Sequence, residues 1–338
     1  MEQVAHTWIA IRAIALLEDE GKTTDLVGLL KPYANAASAG AWLPDLALAT
    51  RRGTGASIYH HTMKMAPYTE ADQVKRFTMD RKTLVSKLGP GREMAAYLKA
   101  NDSLGDAWWS APYKGGAPPG RHIPNGAMAL GTTIKHLLIM GDQQLEALVP
   151  GDLKDRQYVN ADCCTRRQAA AMYLFMLSHF VADACMPLHC DKRKLSGGPL
   201  HKGWEDSWKA KVGDGFSKEK LHPATPDSDT DKLLKAARGR DSEFGLDFGD
   251  NAIPGPRPKT DLWLDTMYVC RASFALNSIA CSPNEYPYGG AKTPSFSTVL
   301  SEGNPELLAD LDRVVLHDAV LNTAMAWKHI WESFEKSE

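Results

Sequence analysis

Long apolar runs are missing from this sequence. The most apolar segment covers residues 169–182, which is shorter than the roughly 18 to 20 residues that a membrane-spanning helix needs. This absence excludes a membrane-spanning protein and predicts a soluble one. The chain is nevertheless long enough to bury a sizeable core, because 43% of its 338 residues are hydrophobic.

Cysteine is scarce as well. Six cysteines in 338 residues are too few for a disulfide scaffold, so the burial of apolar surface must drive folding. No two cysteines have the C-x-x-C spacing of a thiolate zinc site. Cys185 and Cys190 are therefore interpreted as small apolar core residues.

An excess of either charge is also missing, since 39 Lys and Arg oppose 41 Asp and Glu and leave a net charge of −2. The composition gives no general attraction for nucleic acid or for an anionic membrane, so a polyanionic substrate would have to be held locally. The first residues lack the basic and apolar segments of a secretory signal. We therefore expect a cytoplasmic protein as the sequence is written, or a secreted or periplasmic one if a signal has been removed.

Helical periodicity dominates the sequence. Apolar residues recur at helical spacing and alternating strand-like segments are nearly absent, which predicts an all-α protein with residues 1–338 in a single multi-helix domain. The first helix is expected to begin near His6 and to end at Gly21. Further helices are expected at about residues 24–36, 69–88, 91–100, 126–148, 165–185, 201–212, 258–280 and 304–335, and long surface loops at about 111–125, 213–230 and 282–303.

The most informative segment contains His179, Asp183 and His189. His179 and Asp183 are four residues apart, so a helix presents both side chains on one face. The residues before them are apolar almost all round the helix, which predicts that this helix is buried. A buried Asp needs a partner, because an uncompensated carboxylate in the core is costly. Pro187 then ends the helix and leaves His189 on the following turn, close to Asp183.

His201 and Glu205 repeat the same spacing at the start of the next predicted helix. Imidazole nitrogen and carboxylate oxygen are the ligands of zinc at hydrolytic sites. A single pair with this spacing is more often a simple hydrogen bond without metal. Two such pairs with His189 between them favour a metal centre. His122, His136, His222, His317 and His329 have no comparable neighbours and are interpreted as surface or satisfied core residues.

This pattern, H-x3-D-x5-H followed by H-x3-E, resembles the zinc-binding core of the zinc-dependent phospholipase C and S1/P1 nuclease superfamily. The segment from His6 to Ile14 is similar to the opening helix of the phospholipase branch. Trp42-Leu43-Pro44-Asp45 resembles the Asp segment of the family, and Tyr59-His60-His61 lies where its second His is expected. The resemblance covers about residues 1–210, the predicted metal-binding core. Residues 211–338 are expected to form a loop-rich extension with C-terminal helices.

The resemblance implies an all-helical enzyme with three zinc ions. His60 is favoured over His61 as a ligand because of its 15-residue separation from Asp45. Asp45 is also expected to orient or deprotonate the attacking water. The implied ligand sets are Asp45, His60, His179 and Asp183 for one ion; Met1, His6 and the shared Asp183 for the second; and His189, His201 and Glu205 for the third.

Two positions depart from the family pattern. Members usually begin with a Trp whose amine and carbonyl bind zinc, whereas this chain has Met1. The nuclease branch has a Gln before the Pro and ends its motif with Asp, whereas this chain has Met186 and Glu205. Together with the opening helix, Glu205 favours the phospholipase branch.

The leading functional hypothesis is a zinc-dependent phosphoric ester hydrolase that releases the phosphorylated headgroup of a glycerophospholipid, with transient contact to a membrane surface. The first alternative is a single-strand nuclease or 3′-nucleotidase, which would stack bases on aromatic residues. The second is a non-catalytic, metal-stabilised helical binding protein. No stable nucleic-acid partner is expected. Candidate stacking residues are Trp42, Tyr59, Tyr68, Trp108 and Trp109.

Overall fold

The described part of the chain is almost entirely helical. Helices account for 78% of it and no strand occurs within it, which confirms the all-α prediction. None of the helices in this part combines the length and the apolar composition of a membrane span. The structure, a computed structural model, describes residues 2–45, 62–63, 122–139, 166–191, 193, 195, 197–217, 220–221, 229–250, 252–253, 261–282, 285–287, 290, 292–302 and 304–335.

The α-helices are numbered here in chain order, together with the short helical turns between them. Turns of 3-10 helix cover Lys31–Ala36, Pro187–His189 and Asp214–Phe216, and a π-helical turn covers Ser297–Ser301. The α-helices are α1 (Gln3–Glu20), α2 (Thr24–Leu30), α3 (Ala37–Gly40), α4 (Ile123–Ile139), α5 (Arg166–Cys185), α6 (Pro199–Val212), α7 (Thr230–Arg238), α8 (Asp241–Phe244), α9 (Leu262–Ala280) and α10 (Pro305–Glu335).

Helix α5 lies in the middle of the described helices. It packs against α1, α3, α4, α9 and α10, and its residues from 169 to 185 are buried on nearly every side. A helix that is apolar all round needs such a position, as the sequence predicted. The buried apolar side chains of the described residues form one continuous cluster around it.

Helix α1 is the second buried helix and packs against α5, α6, α7 and α10. Polar contacts fix its position as well as apolar ones. The indole Nε1 of Trp8 donates to the carbonyl of Ala237 at 3.1 Å. Arg12 forms a bidentate pair with Asp241, with distances of 2.8 to 3.0 Å. These contacts hold the helix that carries His6.

Several predicted boundaries are wrong for local reasons. The predicted helix 24–36 ends at Leu30 and continues as a 3-10 turn, because Pro32 lacks the N–H that would extend the α-helix. The predicted loop 111–125 is wrong at its end, since α4 already begins at Ile123. Pro124 fits there because the first turn of a helix needs no N–H from that residue.

Three short helices, α3, α7 and α8, were not predicted. Helices α7 and α8 follow the predicted loop 213–230, and α7 buries little more than Leu234 and Ala237. The predicted loop 282–303 contains the π-helical turn. The predicted helices 165–185, 201–212, 258–280 and 304–335 are confirmed, with ends that differ by up to four residues. The predicted helices 69–88 and 91–100 lie outside the described residues.

Candidate metal centre

Two polar residues of α5 lie inside the apolar core. His179 and Asp183 are both 0% exposed. Their spacing places them on one face, and Nε2 of His179 lies 3.1 Å from Oδ2 of Asp183. Burial alone would raise the pKa of Asp183, but nearby positive charge and the hydrogen bond of His179 lower it well below its usual value. The core therefore contains an ionised carboxylate, which needs positive charge beside it.

The other carboxylate oxygen of Asp183 contacts two more imidazoles. Oδ1 lies 3.4 Å from Nε2 of His6 and 3.3 Å from Nδ1 of His189. His189 reaches this position because α5 ends at Cys185 and a 3-10 turn begins at Pro187. One buried carboxylate thus lies next to three imidazole rings.

The ring of His179 is oriented by a main-chain group. Its Nδ1 lies 2.6 Å from the carbonyl oxygen of Ala41. Because a carbonyl only accepts, Nδ1 carries the hydrogen in this contact. Its Nε2 then faces two carboxylates, Asp183 and, at 3.8 Å, Asp45. Since carboxylates also only accept, Nε2 must either be protonated or bind a cation.

Close packing of α3 on α5 makes the contact to Ala41 possible. A Cβ atom at Gly40 would lie 2.6 Å from Cβ of Phe175 and 2.8 Å from the sulfur of Met172. Only glycine lets the chain pass α5 at this distance. The chain then continues through Ala41 to Asp45, so this approach positions both groups that face His179.

One ligand atom each from His6, Asp45 and His179 lies within 4.8 Å of the others, and we call these residues the first metal group. The rings of His6 and His179 stack with centroids 3.9 Å apart. Burial, and then the neighbouring His179, lower the pKa of His6 to about 3, so its ring is neutral. Within the described residues neither of its ring nitrogens makes a hydrogen bond. A neutral, buried imidazole without such bonds fits a metal ligand.

His189, His201 and Glu205 also lie within 4.8 Å of one another and form the second metal group. Nε2 of His189 lies 2.6 Å from Nε2 of His201, which is 3.0 Å from Oε1 of Glu205. Two imidazole lone pairs repel at that distance, so one nitrogen must donate a hydrogen or both must bind one cation. Burial lowers the pKa of His189 to about 4. Burial would raise the pKa of Glu205, but nearby positive charge and the hydrogen bond of His201 lower it.

A buried ion pair follows His189 along the chain. Arg193 donates from Nε and Nη2 to Asp191 at 2.7 to 3.1 Å, and both side chains are almost fully buried. Nη1 of Arg193 also donates to the carbonyl of Tyr286, and Asn277 donates to Asp191. These bonds tie the segment after His189 to α9 and to residue 286. Sequence analysis missed this pair because a separation of two residues is not helical spacing, so the local pattern does not indicate that the two side chains meet.

The remaining predicted ligands differ in how far the structure describes them. Met1, His60 and His61 lie outside the described residues. The resemblance assigns His6 and His179 to two different ions that share Asp183, whereas the structure brings both rings into one group with Asp45. Asp183 contacts both rings, so its role as a shared ligand stays a prediction.

The other described histidines and the described cysteines belong to neither metal group. His122 contacts the carbonyl of Thr62 at 3.2 Å, and His317 stacks on Phe248. Cys185, Cys190, Cys270 and Cys281 are buried and reduced. Burial raises the pKa of Cys185 and of Cys270 well above the ordinary value, so both are thiols.

Comparison of the chain with protein-family models, with curated proteins and with solved structures gives no match.

Proposed function

We propose that this protein is a zinc-dependent phosphoric ester hydrolase. The observation that carries the proposal is Asp183, a fully buried carboxylate within 3.4 Å of three imidazoles. It lies between two groups of His and carboxylate side chains, each compact enough to hold an ion. Nitrogen and oxygen ligands of these kinds suit zinc at hydrolytic sites.

The first metal group would hold one zinc through His6, Asp45 and His179, and the second would hold another through His189, His201 and Glu205. A bound zinc lowers the pKa of water and offsets negative charge on phosphate oxygens. The sequence resemblance implies a third ion, because it places two ions where the first metal group lies. One would be held by Asp45, His60, His179 and Asp183, and the other by Met1, His6 and Asp183.

Exposure differs between the members of the first group, and this difference supports a role for Asp45. The side chains of His6 and His179 are 0% exposed, whereas 37% of the Asp45 side chain is exposed. Asp45 is therefore the member that solvent and a substrate can reach. Its carboxylate can accept a proton from an attacking water or orient that water, which is the work of a general base.

The proposed substrate is a phospholipid, and the reaction is release of its phosphorylated headgroup. This choice rests on the opening helix and on Glu205, the features that resemble the phospholipase branch. Of the aromatic residues that would serve a nuclease, only Trp42 lies among the described residues, where it is half-buried.

The test combines a metal assay with a substrate comparison. Purified, zinc-loaded protein should contain zinc and should hydrolyse short-chain phosphatidylcholine faster than single-stranded DNA or 3′-nucleotides. Asp45→Asn should remove most of the hydrolysis and retain zinc in the second group. The reverse substrate ranking would assign the protein to the nuclease alternative, and a zinc-loaded protein that cleaves no phosphoric ester would favour the non-catalytic one.

A further inference from the structure

Another buried carboxylate, Asp312 on α10, contacts the helix that carries His201 and Glu205. Asp312 is 1% exposed. Its Oδ1 accepts hydrogen bonds from the indole Nε1 of Trp204 at 2.7 Å and of Trp208 at 2.6 Å. Its Oδ2 accepts from Nζ of Lys211 at 2.7 Å. Three donors on one helix therefore converge on one side chain of another.

The two indole donors lie on the same buried face of α6 as the two metal ligands. His201, Trp204, Glu205 and Trp208 are all buried. At 3.6 residues per turn, the two tryptophans lie within about 60° of His201 around the helix axis. Trp204 also directly precedes Glu205. A contact that holds the indoles therefore sets the rotation of α6 and, with it, the direction of both ligands.

Small rotations of α6 matter because metal ligands tolerate little displacement. Side-chain atoms lie about 5 to 6 Å from a helix axis, so a rotation of about 10° moves them by about 1 Å. Ligand distances at a metal site must be correct to about 0.2 Å. Apolar packing of two indoles alone fixes rotation less sharply than two directional hydrogen bonds to one oxygen.

Stability alone is a poor explanation for Asp312. Burying a charged group has a large desolvation cost, and replacing such groups by apolar residues of similar volume is often neutral or stabilising. The indole rings of Trp204 and Trp208 are already 0% exposed and contribute apolar burial without the carboxylate. The carboxylate adds two directional hydrogen bonds, which fix the orientation of the two indoles.

We propose that Asp312 is a positioning residue for the second metal group, acting through Trp204 and Trp208 to set the orientation of α6. The inference rests on the proposed metal site. It predicts that changes at Asp312 alter metal binding by His189, His201 and Glu205, although Asp312 belongs to neither metal group.

Three variants separate positioning from folding. Asp312→Ala removes the acceptor of both indoles. Asp312→Asn keeps an oxygen acceptor, but its amide NH₂ then meets the ammonium of Lys211, a second donor. Adding Lys211→Met removes that conflict, so the double variant should recover the indole contacts.

Glu20→Gln is the matched control. Glu20 is also a buried carboxylate, with a 3% exposed side chain, and it pairs with Lys328 of the same helix α10 at 2.9 Å. It lies at the end of α1, on a helix pair that does not include α6. Loss of this ion pair should lower the free energy of unfolding without changing Co²⁺ binding by the second metal group.

The probe is Co²⁺, titrated into metal-free protein and followed by visible absorption, with urea unfolding as the measure of stability. The signal of the second group is the part of the spectrum that Glu205→Gln removes. We expect Asp312→Ala to weaken Co²⁺ binding by about 10- to 100-fold and to shift its absorption bands, as loss of a supporting residue does at other metal sites. Asp312→Asn should weaken binding as well, and the double variant should return it toward wild type.

The inference is overturned if Asp312→Ala and Asp312→Asn titrate like wild type, whatever their stability, or if Glu20→Gln weakens Co²⁺ binding as much as they do. If Asp312→Ala does not fold, the comparison of Asp312→Asn with the double variant decides, and equal affinities there contradict positioning. A wild-type protein that shows no Glu205-dependent Co²⁺ signal contradicts the proposed metal site itself, and this inference with it.

Discussion

The carboxylate of Asp183 lies 3.3 Å from Nδ1 of His189, and this contact joins the first metal group to the second. Asp183 also lies beside His6 and His179, both members of the first group. The other ring nitrogen of His189 faces His201 at 2.6 Å. A change at Asp183 therefore reaches both groups directly, whereas a change at Glu205 reaches one.

Asp183→Asn should consequently lose more phosphodiesterase activity and more bound zinc than Glu205→Gln. Both substitutions keep the size and remove one negative charge, but only the first removes the charge beside three imidazoles. We expect a phosphodiesterase activity at least about tenfold lower, and less bound zinc, in Asp183→Asn than in Glu205→Gln. Steady-state kinetics with elemental analysis would measure both. Equal losses would show that Asp183 serves only one ion.

Gly40→Ala should disturb the first metal group from a distance. The new Cβ would meet Phe175 at 2.6 Å, so α3 must move and the carbonyl of Ala41 must move with it. We expect a loss of about 1 to 3 kcal/mol in the free energy of unfolding, typical of overpacking. Zinc affinity should fall as well, because His179 loses its orienting acceptor.

The matched control is Gly28→Ala in α2, where an added Cβ meets nothing within 4 Å. An alanine in the interior of a helix should stabilise the protein by about 0.5 to 1 kcal/mol. Urea unfolding and zinc titration of both variants make the comparison. An unchanged zinc affinity in Gly40→Ala would show that the carbonyl of Ala41 does not position His179 for metal binding.

Local spacing explains which parts of the site could be predicted. His179 with Asp183 and His201 with Glu205 are four residues apart, and helix geometry alone brings each pair to within 3.1 Å. Pro187 also acts locally: α5 ends before it, and the short turn that follows places His189 beside Asp183.

Contacts set by packing could not be read from the sequence. The carbonyl of Ala41 contacts His179, and the carboxylate of Asp312 contacts the helix that carries His201 and Glu205. Nothing in the residues next to Ala41 or Asp312 indicates these contacts. His6 was included only through a family resemblance. Helix α7 was missed because it has only nine residues and buries few of them, and helices this short are marginal without tertiary packing.

Arg193→Met should be among the most destabilising single changes in the described part of the chain. It leaves the buried Asp191 with Asn277 but without its cation. Breaking a buried pair in this way costs about 3 to 5 kcal/mol. Arg238→Met is the matched control, because Arg238 is 31% exposed and pairs with Glu18 and Asp19 near the surface, where a pair contributes about 1 kcal/mol or less. Similar unfolding free energies for the two variants would contradict the structural role given to Arg193.

Removal of metal should lower thermal stability. Ions that bind only the folded state stabilise it by mass action, by about 4 kcal/mol at a free concentration a thousand times the Kd. Treatment with a chelator should therefore lower the Tm, and zinc should restore it. Magnesium should restore it far less, because it prefers oxygen ligands over imidazole. Calorimetry would test this, and a Tm indifferent to both chelator and zinc would count against metal in the core.

The central claim is that both groups joined by Asp183 hold zinc. The most direct measurement is anomalous diffraction at the zinc absorption edge from crystals of zinc-loaded protein, because it gives the position of each ion independently of activity. We expect one anomalous peak among His6, Asp45 and His179 and another among His189, His201 and Glu205. Well-ordered side chains in both groups without an anomalous peak at either would contradict it.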